Sequence, residues 1–541
     1  MGKIAEYLRS HLDGEITDAV DVRENFSTDS GLVKMTPQTV AYPFNEQDIR
    51  KVTRFAWQLA EKGKKIALTT RGLGSDWSGG AVGDGLVIAF PAHMNKIIEL
   101  DSRKGEMVVE PGATIGKINQ ALITHGLYLT VEPYSSEFST VGGAVATNAT
   151  GIRSAKYGST SQNVTSLRVV LSNGEVIETG RISKREMRKK MGLSTFEGEI
   201  YRGIDALLTE NEETLKAYTG SAQFAPINIF DVKHKDGSID LTPLFIGSQG
   251  TLGIVSQVRM KITAFNPNFN QVVCGFYNAE QFAATAPEIS KLKPSIFTVI
   301  PRQTLQLFAG LNPLYVGKQF GEKLPEYLVL LEWDEFSTRH LKKSIKKMRK
   351  LCSKLEVTMH AATTEKAKEA LAKFFRIPSV LLQSEVENSR AVPGVESMFV
   401  PQDSYLATTK MINDLYYSAA TRYVSWYDYE TGVCRYFPYL DLRQLSHRQK
   451  LMKIIDSTAE IVASHGGLVG VNGGGRFAAD FHKAIYGDVL YGIFEALKQM
   501  FDPYFILNPG VKFNTDRRQL STKMTQGYSL GHKHNHLPKS V

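Results

Sequence analysis

From about residue 36 to 263 the apolar positions fall in short β-branched runs, at 86–90, 107–110 and 167–171, separated by glycine and polar turns. Runs of that length predict strands, and the amphipathic stretches 46–58 and 115–124 between them predict helices. Short strands with two or three helices describe an α+β domain rather than a strict strand–helix alternation. Ahead of it Ile4, Leu8 and Leu12 stand at helical spacing, so residues 1–35 read as a helical lead-in followed by a loop.

The texture changes near residue 266. Strand, helix, strand is read twice: 272–277, 280–292 and 295–301, then 328–332, 338–353 and 355–360. That order is expected of a ferredoxin-like sandwich. A helical stretch at 364–375 and helices at 403–414 and 447–464 complete this region. A glycine cluster after Leu468 and a helix at 488–501 follow. From about Asp516 the chain is polar and basic without a period, which predicts a tail.

Composition agrees with several packed domains: 541 residues, 42% hydrophobic and 22% charged, with no bias toward disorder or collagen. The three cysteines, Cys274, Cys352 and Cys434, are too far apart for a CxxC pair, a thiolate zinc site or an iron–sulfur cluster. A disulfide scaffold is excluded, and a reducing, cytoplasmic setting is expected. The apolar runs are too short to span a bilayer, and the first residues lack a signal peptide's apolar stretch. The formal charge of +9 would draw phosphate groups, nucleic acids, acidic proteins or anionic membranes alike.

Three glycine-rich segments carry the candidate chemistry. The first, Arg71-Gly72-Leu73-Gly74-Ser75-Asp76-Trp77-Ser78-Gly79-Gly80, follows an apolar run at 65–68. Its glycines let successive amide N–H groups converge as a nest for phosphate oxygens. Trp77 stands where a dinucleotide fingerprint needs its third glycine, and no Gly-Lys-Ser/Thr follows for a phosphate-binding loop of the Walker kind. By itself the segment also fits a plain hairpin loop. The second runs from Pro133 to Gly151 and includes Ser139, Thr140, Gly142, Gly143, Ala146 and Thr147. Such small residues suit either a flat ligand lying close to backbone or a packing seam. In the third, Gly247-Ser248-Gln249-Gly250-Thr251-Leu252-Gly253-Ile254-Val255, a glycine turn leads into a strand.

Taken together and in this order, the segments resemble the vanillyl-alcohol oxidase family of flavoproteins, the PCMH-type FAD-binding proteins. The arginine–glycine loop, the Gly-Gly…Ala-Thr-Asn segment and the Gly-Ser-Glu-Gly-Thr-Leu-Gly-Ile-Val signature are all matched, the last with Gln249 for glutamate. Pro43 precedes the first helix as in the family. The terminal Asp-Pro…Leu-Asn-Pro-Gly is matched by residues 502–510, which include Asn508. The resemblance implies a non-covalent FAD, because neither FAD loop offers a tethering histidine or cysteine. It implies a PCMH-type α+β domain over 36–265, an inserted ferredoxin-like α+β cap over 266–465, and a segment at 466–515 returning to the FAD. A lead-in at 1–35 and a flexible basic tail at 516–541 flank these. In the similar enzymes the first loop holds the pyrophosphate and the cap covers the isoalloxazine.

Within the family the chain is similar to the FAD-linked 2-hydroxy-acid dehydrogenases: D-lactate dehydrogenases, the glycolate oxidase FAD subunit and D-2-hydroxyglutarate dehydrogenase. Their metal-binding histidines would align with Asp428 and Arg435, and a further ligand and base with Val471 and Asn472. Arginine and valine do not ligate cations, and an asparagine amide is no general base near neutral pH. No metal site is therefore expected. Arg376 matches an arginine that grips the substrate carboxylate, and Arg435 could be a second clamp through its forked donors. Tyr427, Asp428, Tyr429 and Glu430 are acid–base candidates, of which only alternate residues can share a face. His447, His465 and His482 read as surface or helix-end histidines.

The expected activity is oxidation of a small hydroxy acid or similar alcohol by hydride transfer to flavin N5. The alternatives are a catalytically degenerate flavin or electron-relay subunit, and a sugar or aldonolactone oxidase. The electron acceptor stays open among quinone, oxygen and a redox protein. The lysine-rich helix at 339–351 reads as a solvated sheet-covering helix, or as a docking face for anionic lipid or an acidic acceptor. Nucleic acid is not expected, since no recognised module accompanies the basic runs.

Overall fold

The computed structural model describes residues 3–394 and 397–528. Strand Glu15–Thr17 pairs antiparallel with Thr39–Tyr42, which lies parallel to Leu86–Ala89, itself parallel to Leu68–Arg71. The 1–35 segment thus contributes an edge strand as well as helices Lys3–Arg9 and Val20–Asn25. Helix Glu46–Glu61 starts where the Asn45 side chain accepts from the Asp48 amide, and it buries Ile49, Val52, Ala56 and Ala60. A second, antiparallel sheet runs in the order Ile97–Asp101, Glu106–Val109, Ile254–Lys261, Val164–Val170, Val176–Glu178.

The far end of the chain closes this domain. Leu68 N–H donates to Ile506 O at 2.7 Å, and Asn508 N–H to Leu68 O at 2.8 Å. Asp502 explains the Asp-Pro motif: it accepts from Ile506 and Leu507 amides and from Lys498 Nζ at 2.6 Å. Lys498 also donates to Thr251 O and Leu507 O, which ties the third glycine turn to the returning segment.

Between these parts the cap sheet runs Thr358–Ala362, Phe269–Phe276, Tyr327–Asp334, Ile296–Pro301, all antiparallel. In chain order this is 4-1-3-2, the ferredoxin-like arrangement expected from the doubled strand–helix–strand pattern. Strands Tyr423–Asp428 and Val433–Leu440 extend it beyond Ile296–Pro301. Helices cover both faces. Val272, Cys274 and Phe276 pack with Ile345 and Met348 on one side, while Val273 packs with Leu305 and Phe308 on the other. Two buried faces account for the unbroken apolar runs in this region.

Three expectations change. The helix expected at 364–375 ends at Leu371 and gives way to a 3₁₀ turn, Phe374–Arg376, after which a further helix, Ile377–Gln383, starts with Pro378 in its first turn. The last long helix begins earlier, at Ala479, and is interrupted at Gly487, whose φ is 71°. The start of the expected tail is docked. Helix Arg517–Thr522 is capped by Asp516, buries Leu520 and continues to Met524, which pairs with Val33. Leu520 and Met524, four apart, supply the apolar contact that a mainly polar segment concealed. The rest of that tail, 529–541, lies outside the described residues.

Candidate active site

One cleft is lined by all three glycine-rich segments and by the end of the cap sheet. Its first wall is the turn after strand Leu68–Arg71. The amides of Gly72, Leu73, Gly74 and Ser75 have no backbone acceptor among the described residues, which is what an anion nest requires. Gly74 has φ +70°, and a Cβ there would come within 2.4 Å of the Arg71 guanidinium packed behind the loop. The opposite wall is helix Val141–Thr147, where Thr140 Oγ1 accepts from Gly143 N at 3.1 Å. A Cβ on Gly142 would meet Pro111, and one on Gly72 would meet Thr140. Small residues here set how closely the two walls approach.

Gln249 accounts for its own departure from the family glutamate. Its Nε2 donates to Asp76 Oδ2 at 3.2 Å and to Ser78 Oγ at 2.8 Å, and its Oε1 accepts from Gly475 N. A carboxylate at 249 would face that of Asp76, so the neutral amide is the residue that fits. Asn508 bridges the same parts, donating to Gly80 O and Gln249 O at 2.8 Å.

Behind the loop lies a buried cluster of charges. Burial, then Asp76, pushes the Asp29 carboxyl up to about 7 against the opposing pull of Arg71. Burial lowers Arg71 and Arg476 to about 10 and Lys512 to about 7. Arg476 is held by Gly79, Val82 and Pro509 carbonyls. His482, expected at the surface or a helix end, lies in the first turn of helix Ala479–Phe501 but is fully enclosed, and burial followed by repulsion from Lys512 lowers it to about 3. His447 instead sits at a helix start, its Nδ1 accepting from Asp441 N.

At the cap end of the cleft is Arg435, 4% exposed. Its Nη1 donates to Asp428 Oδ2 at 2.7 Å, and its Nη2 to Thr150 Oγ1 at 2.8 Å and Asn472 Oδ1 at 3.1 Å. Asn472 Nδ2 in turn donates to Asn148 O. Asp428 Oδ1 accepts from Thr298 Oγ1 at 3.1 Å and Tyr134 OH at 3.2 Å. The guanidinium also lies within 6 Å of the Tyr134 and Trp426 rings. This network joins the cap to both ends of the glycine-rich half.

The structure therefore brings Arg71, Gly72, Leu73, Gly74, Ser75, Asp76, Pro133, Ser139, Thr140, Gly142, Gly143, Ala146, Thr147, Gly253, Arg435 and Asn472 to one cleft. Ser78, Asn508 and Asp428 support lining residues from behind. Ile254 is buried between the lining residues Gly253 and Val255, whereas Pro43 is buried but is not among the lining residues. Tyr427, Tyr429, Glu430 and Arg376 are not among the lining residues. Tyr427 points to the opposite face of its strand, stacks on Tyr405 at 4.0 Å and donates to Val400 O; the two-residue period that turns Asp428 inward turns Tyr427 away. Tyr429 shares that core, against Phe297. Arg376 is exposed on the 3₁₀ turn, away from the lining residues. Sequence reading passed over Tyr134, Thr150 and Thr298, whose hydroxyl contacts depend on long-range folding.

The donor set at Arg435 does not suit a divalent cation. A guanidinium already bonded to Asp428 places a fixed positive charge where a cation would bind. No group of three or more His, Cys, Asp or Glu able to hold a metal occurs among the described residues. The cleft does suit FAD, on the open amides of residues 72–75 and the small-residue wall facing them. None of its lining residues is a histidine or cysteine.

A model of the FAD binding domain matches residues 37–180, and one of the FAD linked oxidases' C-terminal domain matches 266–511. D-2-hydroxyglutarate dehydrogenase of Pantoea ananatis is 26% identical over 521 residues, covering 92% of this chain and 50% of that protein. The chain thus spans about half the length of the first such relatives. Glycolate oxidase subunit GlcD of Bacillus subtilis is 26% identical over 501 residues, covering 89% and 90%. Among solved structures, 4-ethylphenol oxidase from Gulosibacter chungangensis superposes with a TM-score of 0.68 at 14% identity, covering 95% and 97%.

Proposed function

We propose, from the matches of an FAD binding domain at 37–180 and of the FAD linked oxidases' C-terminal domain at 266–511, that the chain is an FAD-dependent oxidoreductase acting on the CH–OH group of a small 2-hydroxy acid. In this reading residues 36–265 and 466–515 hold FAD non-covalently and residues 266–465 form the cap. Amides of residues 72–75 receive the pyrophosphate, and the walls at 139–147 and 249–253 flank the rest. Bound FAD supplies the two-electron acceptor for the hydride of the substrate carbon.

Arg435 receives the substrate carboxylate. The observation that carries this is its unused donors: Nε–H and one Nη1–H have no acceptor among the described residues, while Asp428, Thr150 and Asn472 fix the rest of the guanidinium. A fork held on three sides loses little freedom on binding an anion, so more of the interaction energy reaches affinity. Asp428 balances the charge of Arg435 and keeps it facing the cleft. The relatives named D-2-hydroxyglutarate dehydrogenase and glycolate oxidase subunit support this substrate class.

The test is anaerobic mixing of the FAD-loaded protein with a panel of D-2-hydroxy acids. At least one should bleach the flavin absorbance. If dithionite bleaches it and no hydroxy acid does, the assignment fails.

The reading extends to where electrons leave. Helix Thr338–Lys354 buries Leu341, Ile345, Met348 and Cys352 and turns Arg339, Lys342, Lys343, Lys346, Lys347 and Lys350 to solvent. None of these six makes an ion pair among the described residues. No helix among those residues is long and apolar enough to cross a membrane, so contact with an anionic membrane would be peripheral. Vesicles containing anionic lipid should sediment the protein at low salt and release it at high salt; equal sedimentation with neutral vesicles counts against this.

A further inference from the structure

The titratable residues lining the cleft are Arg71, Asp76, Tyr134 and Arg435. An arginine accepts no proton at working pH. Asp76 accepts from Ser78 N, Ser78 Oγ, Gly80 N and Gln249 Nε2, and it belongs to the loop assigned to the pyrophosphate. That leaves Tyr134, half-buried in the cleft wall, whose hydroxyl donates to Asp428 Oδ1 at 3.2 Å. Asp428 itself is absent from the lining residues. The phenol therefore stands between the cleft and a carboxylate behind it.

We propose that Tyr134 is a catalytic residue, taking the proton of the substrate hydroxyl while passing its own to Asp428. The proposal rests on the hydroxy-acid reading above. As the C–H electron pair leaves for the bound flavin, the O–H bond breaks and its electrons form the C=O bond. The released proton goes to Tyr134 Oη, and the former phenolic proton to Asp428 Oδ1. Burial, then the Asp428 charge, raises the Tyr134 hydroxyl far above its ordinary range. The phenol is thus never a stored phenolate and works by giving one proton as it gains another. Thr298 Oγ1 donates to the same Asp428 Oδ1, at 3.1 Å, and so fixes the oxygen that receives the phenolic proton.

Tyr134→Phe tests the relay in the FAD-loaded protein, using whichever acid of the panel reduces the wild type. The rate of flavin reduction at saturating substrate should fall about 100-fold, the scale of a lost general acid–base group. Binding of oxalate, a non-oxidisable carboxylate followed by its perturbation of the flavin spectrum, should be unchanged. A tyrosine that merely positions Asp428 and Arg435 would give the reverse, weaker oxalate binding with the saturated rate kept, and that result overturns the proposal. Asp428→Asn should lose both rate and oxalate binding, since it also releases Arg435; a wild-type rate in that variant overturns the proposal too. If no acid reduces the wild type, the substrate reading falls and the relay with it. If only Tyr134→Phe behaves like wild type, the relay alone falls.

Discussion

At the scale of residues, the site depends on what surrounds Arg435. The Arg435–Asp428 pair is nearly out of water, with side chains 5% and 12% exposed. Arg435→Ala leaves Asp428 buried without its partner and should destabilise the fold by about 3–5 kcal/mol. Replacing both, with Arg435→Met and Asp428→Leu, should recover most of that loss by urea unfolding, yet leave the flavin unbleached by hydroxy acid. A double variant that still oxidises its substrate would show that Arg435 is not the carboxylate anchor. The residue scale is also where sequence reading reaches its limit. Motif order gave the glycine-rich walls and Arg435. Tyr134, Thr150 and Thr298 meet Asp428 or Arg435 across 294, 285 and 130 positions, and no local pattern announces such contacts.

At the scale of elements, the two ends of the chain meet behind the FAD loop and bring opposite proton linkages together. His482, in the helix Ala479–Phe501, stays neutral in the fold, with its pKa lowered from 6.5 to about 3 by burial and Lys512. Below pH 6.5 the unfolded chain binds a proton that the fold refuses, so this contribution is lost as pH falls. Asp29, beside the same loop, is raised from 3.8 to about 7 by burial and Asp76. Between those values the fold keeps a proton that the unfolded chain has released, so its contribution is lost as pH rises. The two slopes, each up to about 1.4 kcal/mol per pH unit, oppose one another between roughly pH 4 and 6.5. Urea midpoints across that range should fall more steeply toward acid in Asp29→Asn than in wild type. In His482→Gln they should instead rise toward acid. Parallel profiles for the two variants would contradict this account. Element prediction failed where one or two residues decide the outcome: Leu520 with Met524 docks a segment that otherwise reads as a tail.

At the scale of the whole molecule, the cap is fixed to the FAD domain by ionic contacts as well as by the Arg435 network. Arg153 Nε meets Glu332 Oε1 at 2.8 Å, and Lys156 Nζ meets Asp334 Oδ1 at 2.9 Å, while Tyr157 OH donates to Asp334 Oδ2. Both carboxylates lie on the cap strand Tyr327–Asp334. These contacts lie along the same boundary as the Arg435 network, so the proposed carboxylate anchor sits on a seam braced by ion pairs. The ferredoxin-like order of the cap was readable from its doubled pattern because its strands are continuous apolar runs, set apart from a helix such as Thr338–Lys354 whose apolar residues recur at helical spacing. The proposed role of Arg435 is to bind the substrate carboxylate without a metal ion, through a guanidinium already paired with Asp428. It is tested most directly by the rate at which a hydroxy acid bleaches the flavin before and after exhaustive dialysis against a chelator. The account predicts the same rate in both samples and no gain on adding divalent cations. A rate that collapses on chelation and returns with added metal would contradict it.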